Sequence, residues 1–300
     1  MRIGVDLGGT KIEAIALDAE GNELVRERVA TPQGKYQEIL QAVAALVEQI
    51  EQSTGQTGSI GIGTPGALSP ATGMLRNSNT VVLNQMPVKQ DLETLLGRDI
   101  RISNDANCFA LSEATDGAAA GAASVFGVII GTGTGGGIVM HGALVEGPNA
   151  IAGEWGHNPL PWPMDEERPG PLCYCGKHGC IETFLSGPGM EQDYFNNNMV
   201  RLESRTIVQN AEAGDLKAEA CLQRYEDRMA RSLAHVINII DPHVIVLGGG
   251  MSNIERLYKN VPRLWGKYIF SDQVFTQLVP PAYGDSSGVR GAAWLWNDPD

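Results

Sequence analysis

Three hundred residues with 22 Lys and Arg against 35 Asp and Glu give a formal charge of −13. That balance argues against a nucleic-acid or anionic-membrane surface, and any anionic ligand must be held by local devices. The length favours two domains over one, and no apolar run approaches the ~20 residues of a membrane span, so a cytoplasmic enzyme or regulator is expected. Of the five cysteines, three fall between Cys173 and Cys180, which suits one metal site in a reducing compartment better than a disulfide framework.

Ile3-Gly4-Val5 predicts a buried strand and Ile12 to Leu17 a second. Between them runs Asp6-Leu7-Gly8-Gly9-Thr10-Lys11. Gly8 and Gly9 permit positive φ and lack side chains, so successive backbone N–H groups can converge on one anion. Thr10 adds a hydroxyl, Lys11 a charge, and Asp6 a carboxylate of the kind that holds hydrated Mg²⁺ beside a phosphate. An ordinary Gly-Gly hairpin is the competing reading. Leu24 to Val29 completes an antiparallel meander. The stripe of Tyr36, Ile39, Leu40, Val43, Leu46, Val47 and Ile50 then predicts a helix laid on the sheet. Ser59 to Gly63 is a strand running into Thr64-Pro65-Gly66, at the strand end where open α/β sheets carry ligands. A loop extends to about Val88. Asp91 to Leu96 predicts a short helix, Ile100 to Ser103 a strand, and Asn104-Asp105-Ala106-Asn107 the opening of another helix near Ala106, as caps or as chemistry.

Gly117 to Ala123 is a run of small residues that marks a domain boundary. Beyond it the opening pattern recurs: strand Val125 to Ile130, a glycine turn from Gly131 to Gly137, strand Ile138 to His141, and strand Ala143 to Val145. This predicts an internal duplication whose two turns would hold phosphates from both sides, although a long glycine run can also be a flexible loop. Tyr225, Met229, Leu233, Val236, Ile237 and Ile240 predict a long helix stopped by Asp241-Pro242. Val244 to Leu247 is a buried strand discharging into Gly248-Gly249-Gly250, with Ser252 or Asn253 capping the next helix. Gly288 to Trp296 predicts a terminal helix that crosses back to the first domain.

With these three turns, Asp105 and the cysteine cluster, the chain resembles, end to end, the ROK sugar kinases of the actin-like ATPase superfamily. Glu154 to Trp162, and the stretch from Ala234-His235-Val236 through Gly248 to Asn253, are most similar to bacterial fructokinases, and Asn104 to Ala114 is also similar to N-acetylglucosamine kinases. The resemblance implies an α/β fold of two RNase H-like domains, residues 1–118 plus 289–300 and the larger 119–288 with a zinc loop. ATP would lie in the cleft with a sugar at its base. It also implies ATP-dependent phosphorylation of a hexose hydroxyl, fructose to fructose 6-phosphate ahead of N-acetylglucosamine or glucose. Mg²⁺ and a structural Zn²⁺ are the implied cofactors, and a homodimer is the family expectation.

By match, Asp6, Gly8, Gly9, Thr10 and Lys11 form the first phosphate motif, Gly131, Thr132, Gly133 and Thr134 the second, and Gly248, Gly249 and Gly250 lie near the adenosine. Asp105 matches the catalytic base. Glu154, His157 and Glu182 match the sugar ligands, with Asn79, Asn104 and the Thr64-Pro65-Gly66 loop completing the pocket. The segment between His157 and Cys173 is longer than usual for the family, and Asp165-Glu166-Glu167-Arg168 is read as a solvated loop.

The residue chemistry agrees with this assignment. A sugar hydroxyl attacking a γ-phosphate needs alignment, charge stabilisation and a proton acceptor, and a carboxylate such as Asp105 is ionised at neutral pH. Glu154 and Glu182 can accept hydrogen bonds from hydroxyls, or either can be a surface acid. Cys173, Cys175 and Cys180 have the spacing of a closed tetrahedral zinc site. His178 lies inside the loop as one fourth ligand, and the resemblance places His157 there instead. Free thiols or a redox pair are the alternatives. His141, His235 and His243 are read as structural. ROK repressors share the fold but carry an N-terminal helix-turn-helix, for which a strand starting at residue 2 leaves no room, and a filament ATPase has no use for a zinc-stapled sugar pocket.

Overall fold

The computed structural model describes residues 1–296, so the last four residues of the expected 289–300 segment lie outside the described residues. The chain divides into two compact units. The first comprises Met1–Ala123, Gly137–Ala152 and the segment from Ala282 onward, and the second Ser124–Gly136 with Gly153–Pro281.

The first sheet begins with β1 (Arg2–Leu7), β2 (Lys11–Leu17) and β3 (Glu23–Ala30), an antiparallel meander as expected. Next comes α1 (Tyr36–Thr54), which buries the stripe read from the sequence and ends at Gly55 in the left-handed conformation. β4 (Ser59–Thr64) pairs parallel with β1. The expected loop to Val88 contains a small hairpin of β5 (Ala67–Leu68) and β6 (Leu75–Arg76). After α2 (Val88–Leu96), β7 (Ile100–Asn104) joins parallel to β4 and leads into α3 (Asp105–Thr115). The strand order is β3-β2-β1-β4-β7.

The second sheet has the corresponding order β10-β9-β8-β11-β12. Its strands are β8 (Ser124–Ile130), β9 (Thr134–Met140), β10 (Ala143–Leu144), β11 (Val244–Gly248) and β12 (Gln277–Val279). Helices α4 (Glu182–Leu185), α5 (Gly187–Asn198), α6 (Ser204–Glu212) and α7 (Leu216–Ile240) precede β11, and α8 (Leu257–Trp265) follows it. The chain closes with α9 (Ser287–Trp294). No helix among the described residues is long and apolar enough to cross a membrane.

Four sequence expectations change. The second glycine turn is only Gly131–Gly133, because Thr134 to Gly137 already belong to β9. A Cβ on Gly137 would lie 2.6 Å from the Ala106 carbonyl, so that glycine serves close packing rather than turning. Neither Ser252 nor Asn253 caps a helix: Gly250–Asn253 is a 3₁₀ turn, and α8 starts at Leu257 without a side-chain cap. The return to the first unit starts near Ala282 instead of 289, since the buried Glu113 carboxylate accepts the Ala282 N–H at 3.0 Å and the Ser287 hydroxyl at 2.6 Å. Finally, the first unit runs to Ala123, beyond the expected 118, and regains 137–152.

Candidate active site

In the first unit, register sets the site. Asp6 lies opposite Gly63, and Thr64 opposite Asn104, so the carboxyl ends of β1, β4 and β7 finish in one row carrying Asp6, Thr64 and Asn104-Asp105. The Gly8-Gly9-Thr10 turn opens from that row. Neither glycine takes a positive φ, so the expectation of conformational freedom is replaced by one of space. The turn's carbonyls are tied back: Thr31 Oγ1 donates to Gly8 O at 2.7 Å, Gln33 Nε2 to Gly9 O at 2.9 Å, and Thr31 N to Thr10 O at 3.0 Å. With the acceptors occupied on one side, the donors are left for an anion. Thr31 and Gln33 were not foreseen, because nothing in the sequence says that the residues after β3 fold back on the turn. Lys11 pairs with the buried Glu13 at 3.3 Å, which also holds Arg26 and Arg28.

Burial, and then the Asp105 charge, push the Asp6 carboxyl up to about 6 against the pull of Lys11. A buried carboxylate with a second acid beside it fits a cation, whose charge would favour the ionised form of Asp6. Asn104 is the N-cap of α3, its Oδ1 accepting from Asn107 N at 2.7 Å. Asp105 is therefore not the cap; its Oδ1 accepts from Ala106 N at 2.8 Å. Thr64 is fully buried, and its hydroxyl has no hydrogen-bond partner among the described residues. Pro65 and Gly66 follow in the turn toward β5. Asn79 is exposed and faces the first turn, lying 3.9 Å from where a Gly9 Cβ would stand.

In the second unit, Gly131 N donates to Gly133 O at 2.9 Å, and Gly131 O accepts from Gly187 N at the start of α5 at 2.8 Å. Gly248 pairs with Ile129 across β8 and β11, which sets the Gly248-Gly249-Gly250 turn beside the first. Only glycine fits at 249, where φ is +77° and a Cβ would collide with the Ile130 carbonyl. Between these turns, Thr132, Pro188, Arg205, Gln209, Met251 and Ile254 line a cavity of about 740 Å³, within the range of small-molecule sites. The α5 and α6 walls were missed because neither helix carries a long apolar stripe. Glu182 Oε2 accepts from Thr134 N at 2.9 Å.

The cysteine loop gathers four ligands. His157, Cys173, Cys175 and Cys180 place one ligand atom each within 4.8 Å of all the others. Cys175 and Cys180 Sγ are 3.6 Å apart, and Cys173 Sγ is 3.6 Å from His157 Nδ1. Ligands about 2.0–2.3 Å from a tetrahedral zinc stand roughly 3.5–3.8 Å from one another, so the donor set fits that ion. His178 points elsewhere, to Gly170 O at 3.1 Å. His157 Nε2 meets the Tyr174 hydroxyl at 2.9 Å, so both of its ring nitrogens are engaged. Tyr174 itself is exposed. Glu154 is exposed.

Asp165 to Arg168 is not a solvated loop throughout. Glu167 is buried and receives Arg228 Nε at 2.7 Å and Arg231 Nη2 at 2.8 Å, while Arg231 Nη1 also donates to the Trp162 carbonyl at 2.7 Å. Burial opposes the charged form, yet the hydrogen bonds from Arg231 and Arg228 outweigh it and hold Glu167 down to about 2. This ion cluster pins to α7 the segment that joins His157 to Cys173. His243 also has a partner, Ser124 Oγ at 2.6 Å from Nδ1.

Residues 2–299 match the pattern of the ROK family. The chain belongs to the ROK family. A ROK relative, N-acetyl-D-glucosamine kinase of Pasteurella multocida, is 40% identical over 301 residues, covering 99% of both chains. Among solved ROK structures, a hexokinase from Thermus thermophilus superposes with a TM-score of 0.87 at 33% identity, covering 97% of this chain and 96% of its own. A Streptomyces griseus ROK glucokinase, in complex with glucose and AMPPNP, gives 0.77 at 28% identity over 98% of each chain. The two-domain actin-like α/β architecture expected from the sequence is that of these ROK proteins.

Proposed function

We propose that this ROK protein transfers the γ-phosphoryl group of ATP to a hydroxyl of N-acetylglucosamine. The observation that carries the substrate is the 40% identity, over the whole chain, to an N-acetyl-D-glucosamine kinase. Fructose, the sequence's first choice, gives way to the alternative, to whose kinases the Asn104 to Ala114 stretch is also similar. The nucleotide assignment is supported by the two carbonyl-tied glycine turns, by the 740 Å³ cavity beside Gly249-Gly250, and by the AMPPNP-bound relative.

Asp105 takes the proton of the attacking hydroxyl, since Asn104 already supplies the helix cap and the carboxylate stands at the end of the same strand row as Asp6. Asp6 would hold Mg²⁺, which on binding supplies charge neutralisation for the phosphates. Glu154 and Glu182 of the second unit would accept from sugar hydroxyls, and Asn79, Asn104 and Thr64-Pro65-Gly66 are the sugar contacts proposed in the first. His157, Cys173, Cys175 and Cys180 would hold Zn²⁺, fixing the loop that presents these acids. One zinc per chain by elemental analysis is expected, and active protein without zinc would remove that assignment.

The deciding experiment is ADP release over a panel of hexoses at saturating MgATP. N-acetylglucosamine is expected to show the highest kcat/KM. Fructose or glucose ahead of it would overturn the substrate, and no hexose-dependent ADP release would overturn the kinase.

A further inference from the structure

Glu182 holds a position that its role as a sugar acid does not require. Its Oε2 accepts from the Thr134 N–H at 2.9 Å, at the first residue of β9 directly after the Gly131–Gly133 turn, in the stretch assigned above to nucleotide phosphate. The other oxygen lies 3.9 Å from Cys173 Sγ in the metal loop, and the residue sits two positions after Cys180. The turn is shaped to admit this carboxylate, because a Cβ on Gly133 would stand 2.7 Å from Oε2. The Thr134 hydroxyl beside it is buried without a partner among the described residues. All of these groups belong to the second unit.

An N–H makes one strong hydrogen bond. A carboxylate on that donor both blocks it and sets a negative charge against an incoming phosphate. We infer that Glu182 is a latch that makes nucleotide affinity depend on sugar. Without sugar its carboxylate closes the Thr134 donor. Sugar hydroxyls compete for the same carboxylate and draw it off, and the freed N–H is then available to phosphate. Linkage makes the effect reciprocal, so nucleotide raises sugar affinity by the same factor. The inference deepens the proposed function and rests on its assignment of Glu182 to sugar and of the 131–134 turn to phosphate.

The test is calorimetric binding of MgADP to the wild type, Glu182→Ala and Glu182→Gln, with and without saturating N-acetylglucosamine, after thermal melting has established which variants fold. Sugar is expected to tighten MgADP binding to the wild type by about tenfold, within the usual range of coupling. Glu182→Ala without sugar should match the sugar-bound wild type and gain nothing further from sugar. Glu182→Gln keeps an acceptor but no charge and should fall between; if Glu182→Ala does not fold, tighter sugar-free binding by Glu182→Gln carries the result. A merely structural carboxylate would leave the variants no tighter than the sugar-free wild type, and that outcome overturns the latch, as does a wild type indifferent to sugar. A wild type that binds no MgADP under either condition removes the kinase reading and the latch with it.

Discussion

The two glycine turns occupy corresponding places in two sheets of the same strand order, yet their charged groups come from different places. The first is flanked by its own ionisable groups, Asp6 before it and Lys11 after it, and Lys11 is already paired with Glu13. The second, from Gly131 to Thr134, has none, and its acid comes from Glu182 on a different element. Their carbonyls are also restrained differently, by Thr31 and Gln33 in one case and by Gly187 in the other. What has been duplicated is a glycine turn at a strand end. On the proposed function, the side chains around it have diverged, toward reaction chemistry in the first unit and toward holding ligands in the second.

The sharpest way to break this division is Asp105→Asn in the first unit. Turnover should fall by ~10² to 10⁴ while sugar still binds, since general-base contributions are of that size. The fold should persist because Asn104 keeps the cap. Thermal melting, sugar calorimetry and kcat at saturating MgATP check it; turnover within a few-fold of wild type would mean that the first unit does not carry the chemistry.

A change in the second unit should act on binding instead. Glu167→Ala leaves buried Arg228 with only Asp193 and buried Arg231 with only Asp227 as acid partners, a loss below the ~3–5 kcal/mol of a fully orphaned buried charge. Released from α7, the segment between His157 and Cys173 should raise the KM for sugar more than that for ATP. Equal effects on both KM values would contradict the division.

The smallest effect expected is on pH dependence at Asp6. Its carboxyl is raised to about 6 in the folded chain, against about 4 in an unfolded one. The folded state therefore binds the proton more readily, and stability falls as pH rises from about 4 through about 6. Asp6→Asn removes that penalty and should stabilise the metal-free protein at pH 8 by up to about 3 kcal/mol, with no gain at pH 4. Melting temperatures at the two pH values, without Mg²⁺, decide it; the same variant should lose activity.

Much of the first sheet was legible because its signals are local. The α1 stripe from Tyr36 to Ile50, the alternation in β2 and the turn chemistry at Gly8-Gly9 need no distant partner. The cysteine cluster was legible for the same reason, its three members lying within eight residues, and His157 entered it only through the family resemblance. The illegible parts depend on long-range partners. Glu167 reads as one more acid in an acidic run until α7 supplies Arg228 and Arg231 from 61 and 64 residues away. Thr31 and Gln33 carry no mark of the turn they restrain. Helices α5 and α6 were hidden for want of a long apolar stripe, and α5 also opens with Gly187, Pro188 and Gly189, poor helix formers that Ser186 caps through Gly189 N at 3.1 Å.

The seat of α9 has a consequence for synthesis. The glycines at 4 and 61 leave room on β1 and β4 for this last helix: a Cβ on Gly61 would collide with the Ala292 carbonyl, and one on Gly291 with that of Cys108. Chains usually fold their N-terminal domain first as they leave the ribosome. Here the opening sheet must wait for residues 287–294 to emerge with one face bare, and at ~5–20 residues per second that delay after Ala123 is on the order of 10 s. The second unit is complete by Pro281 and can close before it. The nascent first unit is then the part exposed to chaperones and proteases, and the emergence of α9 is what ends that exposure.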